Sequence, residues 1–476
     1  MQLKNHGSTW SCVTGERHLH VMSIRTLSIN VLLAAPRESD AVRENADDIQ
    51  EAGTQWATGT VSPMSEWELT WADVLIQVID ESHLVTGDQL STMVDHAVCP
   101  LGLTAEVLVV DLAQRVLSPV RAQRQATVDV EGTIAGRAYQ LGEIFAATDD
   151  TGGRVLWVPM LDGTDRAGVL RMGLAPGMVD DGALRRRCWA LSGLLGHIVV
   201  SKIPYSERLR WMRSNGPLSP PAELLWQLLP PRTFATYQFV LTALLEPFDQ
   251  VAGDAYDYSV DSSNVYLAVF DGVGHDLQAG QTTAVAVTAI RHARQEGVTD
   301  LAELARHADE LLGAQPGPTK FVTAVLATLN TDTGMLQYLL AGHPAPLLIR
   351  RGRAVKELTS LPRLPLGLRG SPSGRLTAQW ERLEPGDRLL LYSDGITEAR
   401  DAHRKFFGEQ RLVDFIERAE LDQLPAPETL RRLTNAVLTH QGGLLQDDAT
   451  LIMVDWSTDA HRRLFPALAV GPGRNG

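Results

Sequence analysis

The chain has 476 residues, enough for two or three domains with substantial cores. Charged residues make up 21% and hydrophobic residues 44%, as in ordinary soluble globular proteins. A net charge of −14, from 43 basic and 57 acidic residues, argues against a nucleic-acid partner, because phosphate backbones attract basic surfaces. The three cysteines are widely spaced, and no apolar run approaches the length of a membrane span. We therefore expect a cytoplasmic protein with neither disulfides nor a membrane partner.

The first 68 residues are expected to form a disordered leader. Residues 36–65 are rich in Glu, Asp, Gly and Thr, a composition that buries little apolar surface. The apolar stretch 27–35 resembles a signal peptide only weakly, because it is short and interrupted by Ser28 and Asn30. We interpret it as a buried strand or as part of a dispensable leader.

Residues 70–202 show the pattern of an α+β domain. The predicted order is two helices, a strand, a short helix, a hairpin around Asp162-Gly163 and a final helix. The corresponding ranges are 71–80, 89–99, 105–111, 131–139, 154–160 with 168–174, and 185–202. This order, with the stretch from Gly132 to Tyr139, resembles a GAF sensory domain. The resemblance implies an unidentified small ligand and a contact through which the protein forms a homodimer.

Residues 203–232 are expected to form a helical, proline-rich linker. The preceding helix continues through Met212, and Pro217, Pro220 and Pro221 then interrupt it. The apolar stretch 222–229 predicts a further short helix that needs a packing partner.

Four aspartates at the ends of predicted strands carry the main functional signal. They are Asp254, Asp271, Asp394 and Asp447. Because carboxylates are costly to bury unless a cation meets them, four of them at strand ends indicate a metal site. Oxygen ligands favour Mg²⁺ or Mn²⁺ over zinc, which prefers nitrogen and sulfur.

The first two aspartates belong to a predicted hairpin. Strands at 255–260 and 265–270 flank a turn-forming stretch. If the residues beside the turn pair with each other, Asp254 lies beside Asp271 at the far end.

The other two aspartates flank a second pair of strands, at 388–393 and 449–456. As antiparallel neighbours, these strands would place Asp394 and Asp447 at the same edge of a sheet. Asp-Gly pairs also favour ordinary turns, so only the joint pattern of four aspartates supports a metal site.

The order of motifs resembles the metal-dependent serine/threonine protein phosphatases of type 2C (the PPM family), in their SpoIIE-like and RsbU-like bacterial branch. The motifs are G-D at 253–254, D-G-x-G-H at 271–275, A-G-H-P-A-P at 341–346, S-D-G-I-T-E at 393–398 and D-D-A-T at 447–450. The resemblance covers about 218–456. It implies an α/β multidomain protein, in which an α-β-β-α layered sandwich over 233–460 follows the α+β GAF-like domain. Residues 461–476 are expected to form a loose tail.

The resemblance implies a role for each matched aspartate. Asp271 would bridge two metal ions, Mn²⁺ or Mg²⁺, and the carbonyl of Gly272 would help to hold one of them. Asp254 would support the metal centre. Asp394 and Asp447 would hold the second ion.

Three other residues near these motifs have alternative interpretations. Asp448 is the less expected ligand of the D-D pair. His275 could act in catalysis with Asp271 by protonating the leaving oxygen, because its ordinary pKa lies near neutrality, or it could bond to the backbone. His343 is expected to brace a tight turn, because the prolines that follow it restrict the backbone.

The implied activity is hydrolysis of phosphoserine or phosphothreonine by a metal-bridged hydroxide, under the control of the N-terminal sensor. Typical substrates in this branch are phosphorylated anti-anti-sigma factors, so we expect a partner of that type. Residues 227–230, Q-L-L-P, resemble a segment that connects the sensor to the phosphatase in this branch and can act as a regulatory switch. A plain packed linker is the alternative.

The sequence departs from the family pattern at Ala252, Ala255 and Asp276, and none of these changes removes a ligand. These departures favour an alternative function, a catalytically weak signalling scaffold that binds its partner through the phosphatase fold. A metal-dependent nuclease is a further alternative, which the acidic charge disfavours.

Overall fold

The computed structural model describes residues 66–121, 126–214, 219–247, 253–274, 277–316, 320–361, 363–368, 378–443 and 445–464. All of them belong to one folded unit, Met64–Gly476. The predicted leader lies outside the described ranges except for its last three residues, which begin the first helix. Ala252, His275 and Asp276 also lie outside them. No helix within the described ranges is long and apolar enough to cross a membrane.

The N-terminal part, residues 66–202, is a six-stranded antiparallel sheet with helices on both faces. Its elements are α1 (Glu66–Ser82), α2 (Leu90–Val98), β1 (Leu103–Val110), β2 (Val116–Pro119), β3 (Val128–Asp129), α3 (Ile134–Leu141), β4 (Phe145–Thr148), β5 (Arg154–Asp162), β6 (Asp165–Leu174) and α4 (Gly182–Lys202). The strand order is β3-β2-β1-β6-β5-β4. The predicted helices, first strand and hairpin are present. Strands β2, β3 and β4 were not predicted, because two to four residues are too few to show a periodicity.

Alternate residues of β1 enter two different cores. Val107 and Val109 pack with residues of α1, α2 and α4, whereas Leu108 and Val110 pack with Tyr139 of α3. The sheet is therefore covered on both faces. The resemblance of this part to a GAF domain stays a prediction.

Two glycines of α4, one turn apart, are expected to respond oppositely to substitution with alanine. A Cβ at Gly196 would overlap the backbone carbonyl of Leu161 in β5, whereas a Cβ at Gly193 meets nothing within 4 Å. We expect Gly196→Ala to destabilise the fold by about 2 kcal/mol, because helix and strand must move apart. Gly193→Ala should stabilise it by about 0.5–1 kcal/mol, because alanine favours the helix. Urea unfolding measures both changes, and equal effects would contradict the close approach of α4 to β5.

Two short helices connect the N-terminal part to the C-terminal part. They are α5 (Glu207–Ser214) and α6 (Pro220–Leu228). Helix α6 begins at a proline, which fits the first turn, and the Ser219 hydroxyl accepts a hydrogen bond from the Ala222 N–H at 3.3 Å. Leu225 is buried in the core of the C-terminal part, and the Leu228 carbonyl accepts a hydrogen bond from Arg291 at 2.7 Å. The predicted short helix thus has the packing partner that its apolar sequence requires.

The C-terminal part, residues 233–464, has two antiparallel sheets packed face to face between two layers of helices. Its elements are β7 (Thr233–Ala235), β8 (Val240–Glu246), β9 (Ala255–Asp261), β10 (Asn264–Gly272), α7 (Leu277–Gln295), α8 (Leu301–Gly313), β11 (Val322–Asn330), β12 (Met335–Ala341), β13 (Leu347–Arg350), β14 (Arg353–Glu357), β15 (Gln379–Arg382), β16 (Asp387–Tyr392), α9 (Asp394–Thr397), α10 (Glu409–Leu421), α11 (Ala426–His440), β17 (Ala449–Trp456) and α12 (Ala460–Leu464). One sheet has the order β15-β12-β11-β10-β9, and the other has the order β14-β13-β16-β17-β8-β7.

Strand β17 illustrates why this part is layered. Ile452 and Val454 lie in the core between the two sheets, whereas Leu451 and Met453 lie in the core beneath α10 and α11. A strand covered on both faces favours apolar residues on both, which explains the apolar run at 451–454 in the sequence. The arrangement is the α-β-β-α sandwich that the resemblance implies.

The chain remains helical beyond the expected end of this sandwich at residue 460. Helix α12 runs to Leu464, because Ala460 and Leu464 are both buried in the core beneath α10 and α11. The loose tail expected over 461–476 therefore begins inside a helix, and residues 465–476 lie outside the described ranges.

Candidate metal centre

The hairpin of β9 and β10 has the predicted register, which ends with Phe270 opposite Ala255. Asp254 immediately precedes β9, and Asp271 follows Phe270 in β10. The two aspartates therefore lie side by side at the end of the hairpin away from its turn, as predicted.

Strands β16 and β17 are antiparallel neighbours, which confirms the second predicted pair. The Ser393 N–H donates to the Thr450 carbonyl at 2.9 Å and extends the pairing beyond β16. Asp394 begins α9 immediately after Ser393, and Asp447 lies two residues before β17. Burial and then the charge of Asp447 raise the pKa of Asp394. These two carboxylates therefore share one edge of the sheet.

The two pairs meet in what we call the carboxylate cluster: Asp254, Asp271, Asp394, Asp447 and Asp448. Burial, followed by the negative charges of Asp394 and Asp447, raises the pKa of Asp271 to about 7. Burial, followed by the charges of Asp271 and Asp448, raises the pKa of Asp254 well above its ordinary value. The raised pKa values of Asp254, Asp271 and Asp394 indicate that these carboxylates lack compensating positive charge, which is the electrostatic character of a cation site.

The carboxylate cluster has a buried side and an open side. Asp254 and Asp448 are each 2% exposed. Asp271 and Asp394 are partly exposed, and Asp447 is exposed. An ion or a substrate can therefore reach the cluster from solvent.

Hydrogen bonds hold the buried side. One carboxylate oxygen of Asp448 accepts bonds from the backbone N–H groups of Gly253 and, at 3.3 Å, Asp254. The Thr450 hydroxyl donates to the Asp254 carboxylate at 2.8 Å, and the Thr283 hydroxyl donates to the Gly253 carbonyl at 2.5 Å. Asp448, the less expected ligand of the D-D pair, thus holds the backbone that carries Asp254.

The donor chemistry of the cluster fits a hard divalent cation. Crowded carboxylate oxygens are the ligands that Mg²⁺ and Mn²⁺ prefer, and a cation would reverse the upward pKa shifts. Among the described residues, however, no group of three or more His, Cys, Asp or Glu side chains is arranged so that it could hold a metal ion. The fit therefore rests on the chemistry and charge of these carboxylates.

The structure adds two residues that the sequence did not associate with Asp271. Thr323 of β11 pairs with Asp271 of β10, and its hydroxyl donates to the Asp271 carboxylate at 3.2 Å. The same hydroxyl lies 2.8 Å from Nδ1 of His343. Burial lowers the pKa of His343 to about 3, so this ring is neutral at pH 7. The Thr323 hydroxyl thus lies between the His343 ring and the Asp271 carboxylate and donates to the latter.

His343 therefore contributes more than the turn-bracing role expected of it. The link from His343 through Thr323 to Asp271 was not predicted, because the pairing of β10 with β11 was not predicted. The available signal was a polar residue, Thr323, near the start of a strand that is otherwise mostly apolar.

Substitutions at Thr323 are expected to show whether its hydroxyl orients Asp271. We expect Thr323→Val, which keeps the shape but removes the hydroxyl, to weaken Mn²⁺ binding by about 10–100-fold, as for other residues that orient metal ligands. Thr323→Ser keeps the hydroxyl and should bind within about threefold of the wild type. Isothermal titration calorimetry with Mn²⁺ measures both. Equal affinities of the Val and Ser variants would show that the hydroxyl does not matter.

Sequence comparisons match the segment that contains most of this cluster. Residues 261–457 match the family described as Stage II sporulation protein E (SpoIIE). The matched segment includes Asp271, Asp394 and Asp447, whereas Asp254 lies before it.

Two curated relatives align with the chain at low identity. Protein IcfG of Synechocystis is 24% identical over 246 residues, which cover 46% of this chain and 38% of that protein. Phosphoserine phosphatase RsbU of Bacillus subtilis is 24% identical over 220 residues, which cover 44% of this chain and 62% of that protein. The chain thus spans less than two thirds of each relative.

Two solved bacterial structures match the chain over part of its length. The SiaA-PP2C domain of Pseudomonas aeruginosa has a TM-score of 0.40 and 24% identity, and the match covers 46% of this chain and 86% of that one. The RsbU and RsbW domains of Rv1364c from Mycobacterium tuberculosis have a TM-score of 0.38 and 25% identity, with 48% and 62% covered. Residues 261–457 thus match the SpoIIE family, and this part of the chain is similar to the phosphoserine phosphatase RsbU.

Proposed function

We propose that this protein is a metal-dependent phosphatase that hydrolyses phosphoserine or phosphothreonine on a partner protein. The observation that carries the proposal is the carboxylate cluster, in which burial and neighbouring carboxylates raise the pKa of Asp254 and Asp271, at the start of a segment that matches the SpoIIE family. Such a cluster of carboxylates attracts cations, and bound cations attract the negatively charged phosphoryl group of a substrate.

The proposed ligands are Asp254, Asp271, Asp394, Asp447 and the carbonyl of Gly272, which would hold two Mn²⁺ or Mg²⁺ ions. Such ions would acidify the attacking water and stabilise the negative charge that develops on the phosphoryl oxygens. Within the chain, Thr323 and His343 would orient Asp271, and Asp448 would orient Asp254. His275, outside the described residues, is proposed to protonate the leaving oxygen.

The surroundings of the cluster favour a protein substrate over a small metabolite. Val273 and Leu277, on either side of residues 275–276, are 55% and 52% exposed. Large apolar side chains at the edge of a polar site are typical of a surface that contacts another protein. We propose that the substrate is a phosphorylated protein of the anti-anti-sigma type, as the resemblance implies, and that the N-terminal part, residues 70–202, senses a small ligand, acts as regulator and forms a homodimer.

One observation favours the alternative of a catalytically weak scaffold. No metal-holding group of three side chains is assembled among the described residues. Ala255, one of the three departures from the family pattern, gives the scaffold no support, because it is buried in β9 opposite Phe270 and does not line the cluster.

Hydrolysis of a phosphoserine peptide tests the proposal. We expect turnover that requires Mn²⁺ and falls about a thousandfold in Asp271→Asn and Asp394→Asn, because each change removes charge that holds the cations. Asp261→Asn is the matched control, since Asp261 is an exposed carboxylate at the opposite end of the same hairpin. Mn²⁺ binding without turnover in the wild type would favour the scaffold.

A further inference from the structure

A charged contact joins the N-terminal part to the sheet that carries much of the carboxylate cluster. Arg115, in the turn between β1 and β2, forms an ion pair with Glu246, the last residue of β8. The Glu246 side chain is only 11% exposed, against 44% for that of Arg115. The carboxylate of Glu246 is therefore largely withdrawn from water, and its pairing with Arg115 offsets only part of the lost hydration, because burial still raises the pKa of Glu246 to about 7.

The turn that presents Arg115 is held in place from several sides. The Asp111 carboxylate accepts bonds from the N–H groups of Arg115 at 2.7 Å and of Val116 at 3.0 Å. The Leu112 N–H donates to a carbonyl of α5, and the Leu112 carbonyl accepts a bond from Arg232, just before β7. Arg115 is thus presented from a fixed loop, so a shift of the N-terminal part would be transmitted to Glu246.

Glu246 lies beside the strand that leads to the carboxylate cluster. In the sheet, Glu246 pairs with Ala449, which directly follows Asp448. Asp448 in turn accepts hydrogen bonds from the backbone N–H groups of Gly253 and Asp254, so the position of Ala449 affects the backbone that carries Asp254.

We propose that Arg115 and Glu246 are positioning residues through which the N-terminal part controls the geometry of the carboxylate cluster. Displacing Arg115 would release the end of β8, and with it the strand neighbour that presents Asp448. The inference rests on the proposed function only for its consequence in catalysis. The coupling itself can be measured by metal binding and backbone protection.

The other contacts between the two parts provide a matched control. Glu131 of the N-terminal part pairs with Arg431 of α11 at 2.5 Å, and Arg431 also pairs with Glu428. Helix α11 packs on the outer face of the second sheet. Glu131→Gln therefore breaks a contact between the same two parts that reaches the second sheet through α11 and not through Glu246.

The experiment uses the full chain with Arg115→Glu, Glu246→Arg, the double charge swap and Glu131→Gln. It measures Mn²⁺ affinity by calorimetry and amide hydrogen exchange at Gly253, Asp254 and Ala449. We expect each single reversal to weaken Mn²⁺ binding about five- to tenfold and to speed exchange at these amides about tenfold. The double swap should restore both to within about twofold, and Glu131→Gln should leave both unchanged.

Three results would overturn the inference: unchanged Mn²⁺ affinity and exchange in both single variants, equal changes in Glu131→Gln, or no recovery in the double swap. If a reversal prevents folding, Arg115→Gln and Glu246→Gln replace it, with the same expectation for each single change. Hydrolysis of the phosphoserine peptide is recorded separately. If the wild type does not hydrolyse the peptide, the proposed function is contradicted. The hydrogen-exchange result still tests whether Arg115 and Glu246 are coupled to the carboxylate cluster.

Discussion

In the absence of metal, Asp271→Asn is expected to make the protein more stable at pH 8, although the same change should abolish metal-dependent activity. The folded pKa of Asp271 is about 7, against an ordinary value of 3.8, so ionisation of this carboxylate opposes folding. The stabilising proton is bound at low pH and is lost as the pH rises through 7. The benefit of the substitution should therefore be about 1 kcal/mol larger at pH 8 than at pH 6.

Mn²⁺ should make the wild type more stable than Asp271→Asn and so reverse the order expected without metal. A cation that binds the folded wild type adds about 2.7 kcal/mol at a free concentration a hundred times the Kd, and the variant should gain much less. Urea unfolding at pH 6 and pH 8, with EDTA or with Mn²⁺, measures all four combinations. Asp261→Asn is again the control.

The comparison must be made between variants, because other buried groups titrate in the same range. Burial lowers the pKa of His343 from its ordinary value of 6.5 to about 3. Below pH 6.5 the unfolded state therefore takes up a proton at His343 that the folded state does not, which destabilises the fold and opposes the stabilisation that protonated Asp271 provides. This contribution is common to wild type and variant and cancels in their difference. A less stable Asp271→Asn protein at pH 8 in EDTA would contradict the electrostatic strain that we assign to the cluster.

The second large effect is expected at Gly395, which follows Asp394. A Cβ at this position would overlap the backbone carbonyl of Asp448. Neither group is a flexible side chain, so Gly395→Ala should push α9 away from the start of β17 and separate Asp394 from Asp447. We expect a loss of about 3 kcal/mol in stability, and a drop of about a hundredfold or more in Mn²⁺ affinity.

Gly193→Ala in α4 is the control for Gly395→Ala, because it makes the same chemical change where a Cβ would meet no atom of another element within 4 Å in the described part of the chain. Thermal unfolding and Mn²⁺ titration of both variants separate steric overlap from the general effect of alanine. An unchanged Mn²⁺ affinity in Gly395→Ala would mean that the close contact between the two backbones does not set the spacing of these aspartates. The D-G of S-D-G-I-T-E would then be an ordinary turn.

The sequence by itself determined the elements and the local pairings of the site. The register of β9 with β10 follows from a tight turn between two short strands, because neighbours in the chain have few ways to pair. The antiparallel contact of β16 with β17 was predictable for a different reason. Both contain an apolar run, at 389–392 and 451–454, which indicates strands buried on both faces. The four aspartates at the ends of these strands were therefore identifiable before the fold was known.

Only the tertiary structure decided what supports those aspartates. Thr323 reaches Asp271 across 52 positions, and Arg115 reaches Glu246 across 131. Such contacts depend on which strands become neighbours and on how two separately patterned parts of the chain pack, and no local periodicity encodes either. For the same reason, the short strands β2–β4 and the helix that continues to Leu464 could not be predicted from the sequence. These elements are stabilised by the surfaces they pack against and not by the propensities of their own residues.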